Sequence, residues 1–308
     1  MPNDHHHPAT ATHDHPGTAT HDHPATATHA GHAHQQDDAA MAEMLDLDTE
    51  VLHSYLSELI GWVADTAAGP PRRILDLGAG TGAGALALAQ RFPGAEVTAV
   101  DASAPMLDRL QDKARDLGVA DRVHVIRADL DAGWPAVEPV DLVWASKSLH
   151  HLADPGRVLA DVFGALNPGG LLTVEELGSF PRFLAAEPGA GLEERGHALL
   201  AGELAGELPH LGSDWAPRLR QAGFTLLAER EFAIDLAPPL PAAAGRYARV
   251  SLRRLRSALD DRMSADDLAA LDALIDSDGP DGVLHRTDLT VRTARTVYLA
   301  ERPGLRAN

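Results

Sequence analysis

The chain has 308 residues, with 26 lysines and arginines against 45 aspartates and glutamates, and it contains no cysteine. Its length predicts one large domain or two small ones, and the lack of cysteine excludes disulfides, thiolate metal ligands and cysteine nucleophiles. The formal charge of −19 argues against nucleic acid and membranes as partners, because proteins that bind polyanions carry a basic surface. No apolar run is long enough to span a bilayer and no signal peptide is evident, so the expected location is the cytoplasm.

Residues 1–38 form a histidine-rich tail. This segment holds ten of the 17 histidines, has no lysine or arginine, and repeats a unit of eight residues. It can bury too little apolar surface to offset the entropy lost on ordering, which predicts disorder. Paired imidazoles are typical of adaptable, poorly selective sites for Ni²⁺, Zn²⁺, Cu²⁺ or Co²⁺. The tail is therefore predicted to bind such a metal, adventitiously or for regulation, through His13, His15, His21 and His23.

The folded part is expected over residues 39–304. Apolar residues recur at helical spacing from residue 51 to 63, which predicts a helix with Asp48 or Thr49 as its N-cap. Strand and helix signals then alternate, which indicates a three-layer, doubly wound α/β domain. Seven strands are predicted, at residues 73–77, 95–100, 123–126, 140–145, 171–175, 224–232 and 289–300.

Helical insertions are predicted to cap this sheet. The intervals 178–212 and 237–286 are longer than a doubly wound sheet needs, and the second contains a capping box at Ser264 and Asp267 that begins a helix. Together with the N-terminal segment 41–68, these elements are expected to lie over the edge of the sheet where the parallel strands end.

A glycine-rich turn, GAGTG at residues 78–82, follows the first predicted strand. Glycines let a backbone approach a ligand closely, and the start of the next helix offers free N–H groups. Two cofactor classes fit this turn, because its first two glycines with Ala83, and Asp101 further on, also satisfy the dinucleotide-binding pattern.

Asp76 favours a ligand other than a nicotinamide dinucleotide. It lies two residues before the first glycine, where a nicotinamide site usually has an apolar residue because the ligand's pyrophosphate is anionic. A carboxylate there suits a ligand with an ammonium group. A short-chain reductase would also have a Tyr-x-x-x-Lys pair, and no tyrosine of this chain has a lysine four residues later.

From about residue 74 to residue 299 the sequence resembles the class I S-adenosylmethionine-dependent methyltransferases. Five further segments follow the glycine turn in the family's order, namely AVDAS at 99–103, RADL at 127–130, DLVWASKSLHHL at 141–152, LNPGG at 166–170 and LRQAGF at 219–224. The resemblance implies a Rossmann-like, seven-stranded sheet whose last strand is antiparallel. It also implies methyl transfer by in-line displacement from S-adenosylmethionine to a small-molecule acceptor, a metabolite or a natural product.

The same resemblance implies which residues contact the cofactor. Asp101 would take both ribose hydroxyls, Met106 would pack on the adenine, and Asp129 would accept from the adenine amino group. The cofactor-binding residues implied are Asp76, Gly78, Gly80, Gly82, Asp101, Ala102, Met106, Ala128, Asp129, Leu130 and Ser146.

Residues for the chemistry are expected where the fourth and fifth strands end, since open α/β sheets bind ligands there. His150 and His151 are the first candidates, because an imidazole can deprotonate a hydroxyl acceptor near neutral pH. One of them could instead cap or pack under the helix at Asp154. Glu175 and Glu176 point to opposite faces of the sheet, and either could orient an amine, take a proton, or bind an arginine. The catalytic candidates are thus His150, His151 and Glu175.

Basic side chains are few, and two groups of them bear on the substrate. Lys147 lies in the loop after the fourth strand, where it could hold a substrate carboxylate or be exposed. A cluster of arginines in the second insertion could attract an acidic substrate, or form a solvated face paired with acids such as Asp260. These arginines are Arg246, Arg249, Arg253, Arg254 and Arg256.

Two other functions stay open from the sequence. A peptide or protein methyltransferase would have an open groove in place of a closed cap. A metal-storing or metal-sensing protein on the methyltransferase fold would have little turnover and would lose its function with its tail. The partners expected are a small-molecule substrate and, in a homodimer, a second copy of the chain.

Overall fold

The computed structural model describes the backbone of residues 26–185 and 189–304 and the side chains of residues 38–185 and 191–304. The chain divides into two compact units, Met1–Asp37 and Asp38–Asn308. Of the first unit the structure describes helical backbone from Thr26 onward. The four tail histidines that are predicted to bind metal lie outside the described residues.

A seven-stranded sheet forms the centre of the second unit. Its strands are β1 (Arg73–Leu77), β2 (Glu96–Asp101), β3 (Val123–Arg127), β4 (Val140–Ser146), β5 (Leu166–Leu177), β6 (Thr225–Leu236) and β7 (Val291–Glu301). They lie in the order β3-β2-β1-β4-β5-β7-β6, and β7 is antiparallel to both of its neighbours. The order reverses between β1 and β4, which places a ligand crevice at the carboxyl ends of these two strands.

Helices cover both faces of the sheet. They are α1 (Thr26–Val51), α2 (His53–Thr66), α3 (Ala83–Arg91), α4 (Ala104–Asp116), α5 (Pro155–Ala165), α6 (Gly189–Glu207), α7 (Ala216–Gln221), α8 (Ala244–Ala258) and α9 (Ala265–Asp276). On one face, α2, α3 and α4 bury Leu59, Leu88 and Leu110 in a shared core. On the other, α5 and α7 bury Val158 and Leu219. The result is the three-layer arrangement that the alternating strand and helix signals predict.

A separate apolar core joins α1, α8 and α9 into a cap. Leu47 of α1, Leu252 of α8 and Leu271 of α9 are buried in one cluster. The hydroxyl of Ser264 accepts from the N–H of Asp267 at 3.1 Å and begins α9, as predicted. The predicted fold class, a doubly wound seven-stranded sheet with an antiparallel last strand and helical cap insertions, is confirmed.

The N-terminal helix differs from its prediction. α1 begins at Thr26, inside the segment predicted to be disordered, and continues through Asp48 and Thr49, so neither residue is an N-cap. The next helix starts at His53. The Thr49 hydroxyl donates to the Leu45 carbonyl at 2.8 Å within α1, and Asp48 bonds to side chains of distant segments. These partners explain why neither side chain caps a helix. Disorder stays a prediction for residues 1–25.

The strand predictions are accurate to a few residues except in β5. This strand extends from Leu166 to Leu177 because Leu166 pairs with Val140 of β4 and Leu177 pairs with Arg295 of β7. The prediction covered only its apolar middle. Within the described ranges, no helix is long and apolar enough to cross a membrane.

Candidate functional site

The glycine turn connects β1 to α3 and requires glycine at two positions. Gly78 has φ +66°, and a Cβ atom there would lie 2.4 Å from Cβ of Ser148. Gly82 has φ +91°, and its Cβ would lie 2.5 Å from Cγ of Leu110. L residues with a side chain rarely adopt these values, and no space is available for the side chain. The turn therefore packs directly against the loop that follows β4 and against α4.

Asp76 holds the start of α3 from the end of β1. Its carboxylate is buried and accepts the Ala85 N–H at 2.7 Å, so it satisfies one of the free donors of the helix N-terminus. Burial raises the pKa of Asp76 to about 7. The negative charges of Asp101 and Glu175 also raise this pKa, whereas the hydrogen bond from the Ala85 N–H lowers it. A bound cation would favour the charged form of this side chain.

Asp101 ends β2 and its carboxylate is fixed by two backbone donors. Oδ2 accepts the Gly80 N–H at 2.8 Å and Oδ1 accepts the Ser103 N–H at 2.8 Å. The turn is also tied to β2 by the N–H groups of Gly78 and Ala79, which donate to the Val100 carbonyl. The carboxylate is thus preorganised beside the glycine turn.

These residues line one cavity of about 580 Å³ at the carboxyl ends of β1, β2 and β4. All the residues predicted to bind cofactor line it except Gly82, which faces Leu110 instead. Sequence reasoning missed a group of lining residues on α1, because the helix was predicted to begin later. These residues are Asp38, Met41, Leu45 and Thr49.

The cavity is electronegative. Besides Asp76 and Asp101, the carboxylates of Asp38, Asp129 and Asp131 line it, and Lys147 is the single lysine or arginine among the described lining residues. Such an arrangement suits a cationic ligand and disfavours an anionic pyrophosphate. The charge pattern agrees with the interpretation of Asp76 drawn from the sequence.

The two candidate histidines occupy different environments. His150 is buried, and its Nδ1 lies 2.5 Å from Oε2 of Glu176. His151 lines the cavity, and the two imidazole rings are 4.1 Å apart at their centroids. Partial burial, helped by His150, lowers the pKa of His151 to about 4. Neither histidine caps α5, because Asp154 does so by accepting from the N–H of Arg157.

Glu175 and Glu176 point to opposite sides of β5, as strand alternation predicts. Glu176 pairs with His150, whereas Glu175 accepts from the hydroxyl of Ser146 at 2.6 Å and from that of Tyr55 at 2.9 Å. Glu175 is buried and does not line the cavity. Its carboxylate is linked to the cavity wall by Ser146, which lines the cavity.

Beside Glu175 lies a cluster of charged side chains that the sequence did not predict. The Asp48 carboxylate is 2.7 Å from Nζ of Lys147 and 3.1 Å from Nη2 of Arg295, and it accepts from the Tyr247 hydroxyl at 2.6 Å. Burial favours the neutral acid, but the two cations hold the pKa of Asp48 well below its usual range. Burial raises the pKa of Tyr247 well above its usual value, and Asp48 adds to the effect.

Three arginines of the α8 cluster are paired with acids. Arg246 is 2.8 Å from Glu43, Arg253 is 3.4 Å from Asp276, and Arg256 contacts both Asp260 and Asp272. The solvated, paired face is therefore the correct interpretation for these three arginines, since each has a neighbouring carboxylate.

A second cavity, of about 420 Å³, lies between the end of β5 and α6. Phe180, Arg182 and His197 line it. Burial lowers the pKa of His197 to about 4, with a contribution from Arg182. No group of three or more metal-ligating side chains is present in the part of the chain that the structure describes.

Comparison with known proteins identifies the central part of the chain. Residues 74–170 match the family model described as a methyltransferase domain. A trans-aconitate 2-methyltransferase of Pseudomonas aeruginosa is 41% identical over 102 residues, which are 33% of this chain and 34% of that protein. A malonyl-acyl-carrier-protein O-methyltransferase of Laribacter hongkongensis is 38% identical over 113 residues, which are 35% of this chain and 38% of that protein.

A solved structure shows the same fold over most of the chain. The YcgJ protein of Bacillus subtilis is 16% identical with a TM-score of 0.51, and the match covers 82% of this chain and 100% of that one. The matched residues span about a third of the length of the two curated relatives above. The chain therefore has the class I, Rossmann-like fold, and its residues 74–170 resemble a methyltransferase domain.

Proposed function

We propose that this protein is an S-adenosylmethionine-dependent methyltransferase whose acceptor is a small molecule, a metabolite or a natural product. The observation that carries this proposal is the cavity of about 580 Å³, in which the glycine turn, Asp76 and Asp101 face one space. Its volume is that of a small-molecule site. Its carboxylates suit a ligand that carries an ammonium and a sulfonium and has no phosphate.

Several residues of the cavity fit parts of this cofactor. Asp101, held by Gly80 and Ser103, would accept from the ribose hydroxyls with its remaining lone pairs. Met106 offers an apolar surface to the adenine, and Asp129 offers an acceptor to its amino group. When bound, the cofactor supplies a methyl group on a positively charged sulfur, which is an activated leaving group.

The protein's main tasks are then to align the acceptor, exclude water and, for a protonated acceptor, remove a proton. We assign the last task to His151. Its side chain lines the cavity, and its lowered pKa keeps the ring neutral at pH 7 while making it a weaker base than a free imidazole. His150, held by Glu176 and in contact with the His151 ring, would position it.

Glu175 supports the site in a different way. Because the Ser146 hydroxyl donates its proton to Glu175, the Ser146 oxygen keeps its lone pairs as acceptors, and Ser146 lines the cavity. This arrangement would let Ser146 accept from the cofactor's ammonium group or from the acceptor. Direct proton transfer to Glu175 would require Ser146 or Tyr55 to move first.

The cap favours a small acceptor over a peptide or protein. Met41, Leu45 and Thr49 of α1 line the cavity, so the helix covers part of the space in which a peptide would have to lie. The names of the two curated relatives also describe small or carrier-bound acids, trans-aconitate and a malonyl group. The protein methyltransferase is therefore the weaker alternative.

The histidine pairs of the tail are proposed to bind Ni²⁺, Zn²⁺, Cu²⁺ or Co²⁺ without taking part in methyl transfer. The residue types that the cofactor requires are present without the tail, among the described residues that line the cavity. A protein that stores or senses metal on this fold is the competing function, and a homodimer remains a further prediction.

Calorimetric titration of the full chain with S-adenosylmethionine, S-adenosylhomocysteine and NADH tests the proposal. We expect micromolar binding of the first two ligands, by the full chain and by a variant in which His13, His15, His21 and His23 are replaced by asparagine. This variant keeps the chain length and removes the four histidines that are predicted to bind metal. Binding of NADH alone would overturn the proposal, and loss of cofactor binding in the histidine variant would favour the metal-dependent function.

A further inference from the structure

Three donors from distant segments converge on a single carboxylate at the carboxyl end of β4. Lys147 follows β4, Tyr247 lies on α8, and Arg295 lies on β7. Each makes a hydrogen bond to Asp48 of α1, at distances of 2.6 to 3.1 Å. An ammonium, a guanidinium and a phenol around one carboxylate form a site for that chemical group.

The cluster has more donors than acceptors. The Lys147 ammonium carries three N–H bonds and makes one described hydrogen bond, to Asp48. Nε of Arg295 is buried without a hydrogen-bond partner in the described chain, and the nearest carboxylate oxygen, of Glu175, is 3.8 Å away. Both oxygens of Glu175 already accept from hydroxyls. Lys147 and Arg295 therefore retain unused N–H donors beside the cavity, which favours an anion over an amine.

The backbone of Lys147 supports a functional position. Its φ of +53° is the single positive value at a non-glycine residue in the described part of the chain. Its N–H donates to the Glu175 carbonyl at 2.7 Å, which holds this conformation. Such conformations persist where the surrounding structure imposes them, often at ligand sites. Lys147 thereby lines the cofactor cavity next to Ser146 and Ser148.

Asp48 is carried by an element that covers the cavity. Leu45 and Thr49, its neighbours on α1, line the cavity, so a movement of α1 that widened the cavity would displace Asp48 as well. This displacement would leave Lys147 and the buried Arg295 without their shared counter-ion. Buried charges without a partner are strongly unfavourable. An anion that arrived with the substrate would restore the balance.

We propose that Lys147, Arg295 and Tyr247 bind a carboxylate group of the acceptor, and that Asp48 occupies this site when the acceptor is absent. The inference rests on the proposed function and names its substrate class, the small carboxylic acids. An amine held between Asp48 and Glu175 is the opposing arrangement, and it is disfavoured because two cations, Lys147 and Arg295, already lie beside these carboxylates.

Two matched pairs of variants test this site in the full chain. Asp48→Asn removes the internal carboxylate, whereas Asp46→Asn removes another acid of α1 that pairs with cations, Arg109 and Lys113. Lys147→Met removes a hydrogen-bond donor of the proposed site. Lys113→Met makes the same chemical change in the ion pair between Lys113 and Asp46. The probes are succinate, its neutral analogue succinamide, and the diamine putrescine, titrated calorimetrically in the presence of S-adenosylhomocysteine.

We expect Asp48→Asn to bind succinate at least about tenfold more tightly than the wild type and Asp46→Asn. Lys147→Met should bind succinate at least about tenfold more weakly than the wild type, and Lys113→Met should stay within about threefold of it. Succinamide and putrescine should bind weakly to every variant. Addition of succinate should also raise the melting temperature of Asp48→Asn more than that of Asp46→Asn.

Equal succinate affinities in the two aspartate variants, preference for putrescine, or full succinate affinity in Lys147→Met would each overturn the inference. If Asp48→Asn fails to fold, the lysine pair decides the question alone. Cofactor binding is measured separately with S-adenosylhomocysteine, and every succinate titration is repeated without it. If the variants show the expected succinate affinities but the protein does not bind S-adenosylhomocysteine, the proposed function is contradicted and the carboxylate site is supported. If the protein binds S-adenosylhomocysteine but the succinate affinities do not follow the expected pattern, the carboxylate site is contradicted and the proposed function is not.

Discussion

The carboxylates of the cofactor cavity and the carboxylate of the cap are held by partners at very different distances along the chain. Asp76 accepts from a residue nine positions away, and Asp101 accepts from residues two and 21 positions away. Asp48 accepts from side chains 99, 199 and 247 positions away. We call the region of Asp76 and Asp101 the cofactor half and the region around Asp48 the cap half. Backbone N–H groups of adjacent turns hold the carboxylates of the cofactor half. Side chains that only the complete fold brings together hold the carboxylate of the cap half.

This difference predicts where substitutions change chemistry and where they change stability. In the cofactor half, a lost carboxylate leaves backbone donors that water can satisfy at the cavity wall. In the cap half, a lost charge leaves its buried partner without compensation. The five variants that follow separate these two behaviours.

The largest effect is expected for the proposed base. Replacement of His151 by asparagine should lower turnover by about 10² to 10⁴, the usual contribution of general base catalysis, and leave cofactor affinity nearly intact. Production of S-adenosylhomocysteine with an acceptor found by screening small carboxylic acids measures this. The control is His124→Asn, an exposed histidine on β3 paired with Glu96, which should keep full activity. An active His151→Asn variant would remove the histidine from the mechanism.

Arg295→Met should lower the free energy of unfolding by about 3 kcal/mol or more, because Asp48 and Glu175 would lose a buried cation. Urea denaturation followed by circular dichroism measures the change. The matched control is Arg253→Met, which breaks an exposed pair with Asp276 and should cost about 1 kcal/mol or less. Equal losses in the two variants would show that the buried cluster contributes no more than a surface pair.

Glu193 of α6 should make the stability of the cap depend on pH. Its buried carboxylate accepts from the N–H groups of Phe183 and Leu184, and burial raises its pKa from 4.5 to about 7. Between these pH values the folded state binds more protons than the unfolded state, so stability falls as pH rises. We expect the free energy of unfolding to decrease by about 3 kcal/mol from pH 4.5 to 7. In Glu193→Gln the free energy of unfolding should not show this decrease. If it changed with pH in the same way in the variant and the wild type, the role given to Glu193 would be contradicted.

Asp101→Ala should weaken cofactor binding by about 1 to 3 kcal/mol, because charge-assisted contacts to the ribose hydroxyls are lost. Calorimetry with S-adenosylhomocysteine measures the change. Asp116→Ala, an exposed aspartate at the end of α4, controls for the lost negative charge and should bind normally. Unchanged affinity in Asp101→Ala would contradict the role given to this residue.

The smallest effect concerns Asp76, whose pKa of about 7 lies within the working pH range. Below pH 7 its carboxyl group becomes protonated and loses the charge that a cationic ligand requires. We expect affinity for S-adenosylmethionine to fall about fivefold from pH 7 to pH 6. Asp76→Asn can still accept from the Ala85 N–H and should show a flat profile over this interval. A pH dependence that survives in the variant would assign it to another group.

Much of the cofactor half could be predicted because its residues lie at the ends of successive parallel strands, which meet at one edge of the sheet. Parallel strands end at the same edge of the sheet, so Asp76, Asp101 and Asp129, which lie at or just after the ends of three strands, were expected together and are found lining one cavity. Gly82 is the exception among the predicted residues. Its positive φ and its contact with Leu110 of α4 show that it is needed for packing between helices.

The cap half was predicted only in outline. Helical periodicity and the capping box at Ser264 were sufficient to locate α9. Asp48, one of the two predicted N-cap candidates, instead joins an ion-pair cluster. The two adjacent histidines also could not be distinguished from the sequence. Which of them is buried against Glu176 and which one lines the cavity depends on how the turn after β4 is oriented.

The sequence by itself determined the strands, the glycine turn, the polarity of the cofactor cavity and the methyltransferase resemblance, since these depend on local patterns and on the common direction of parallel strands. The tertiary structure alone decided that Lys147, Tyr247 and Arg295 meet around Asp48 and that α1 covers the cavity. The physical reason is that a local pattern in the sequence cannot predict a contact between residues that are 99 to 247 positions apart. Such contacts follow from the way the cap packs on the sheet, which is set by the apolar core shared by α1, α8 and α9.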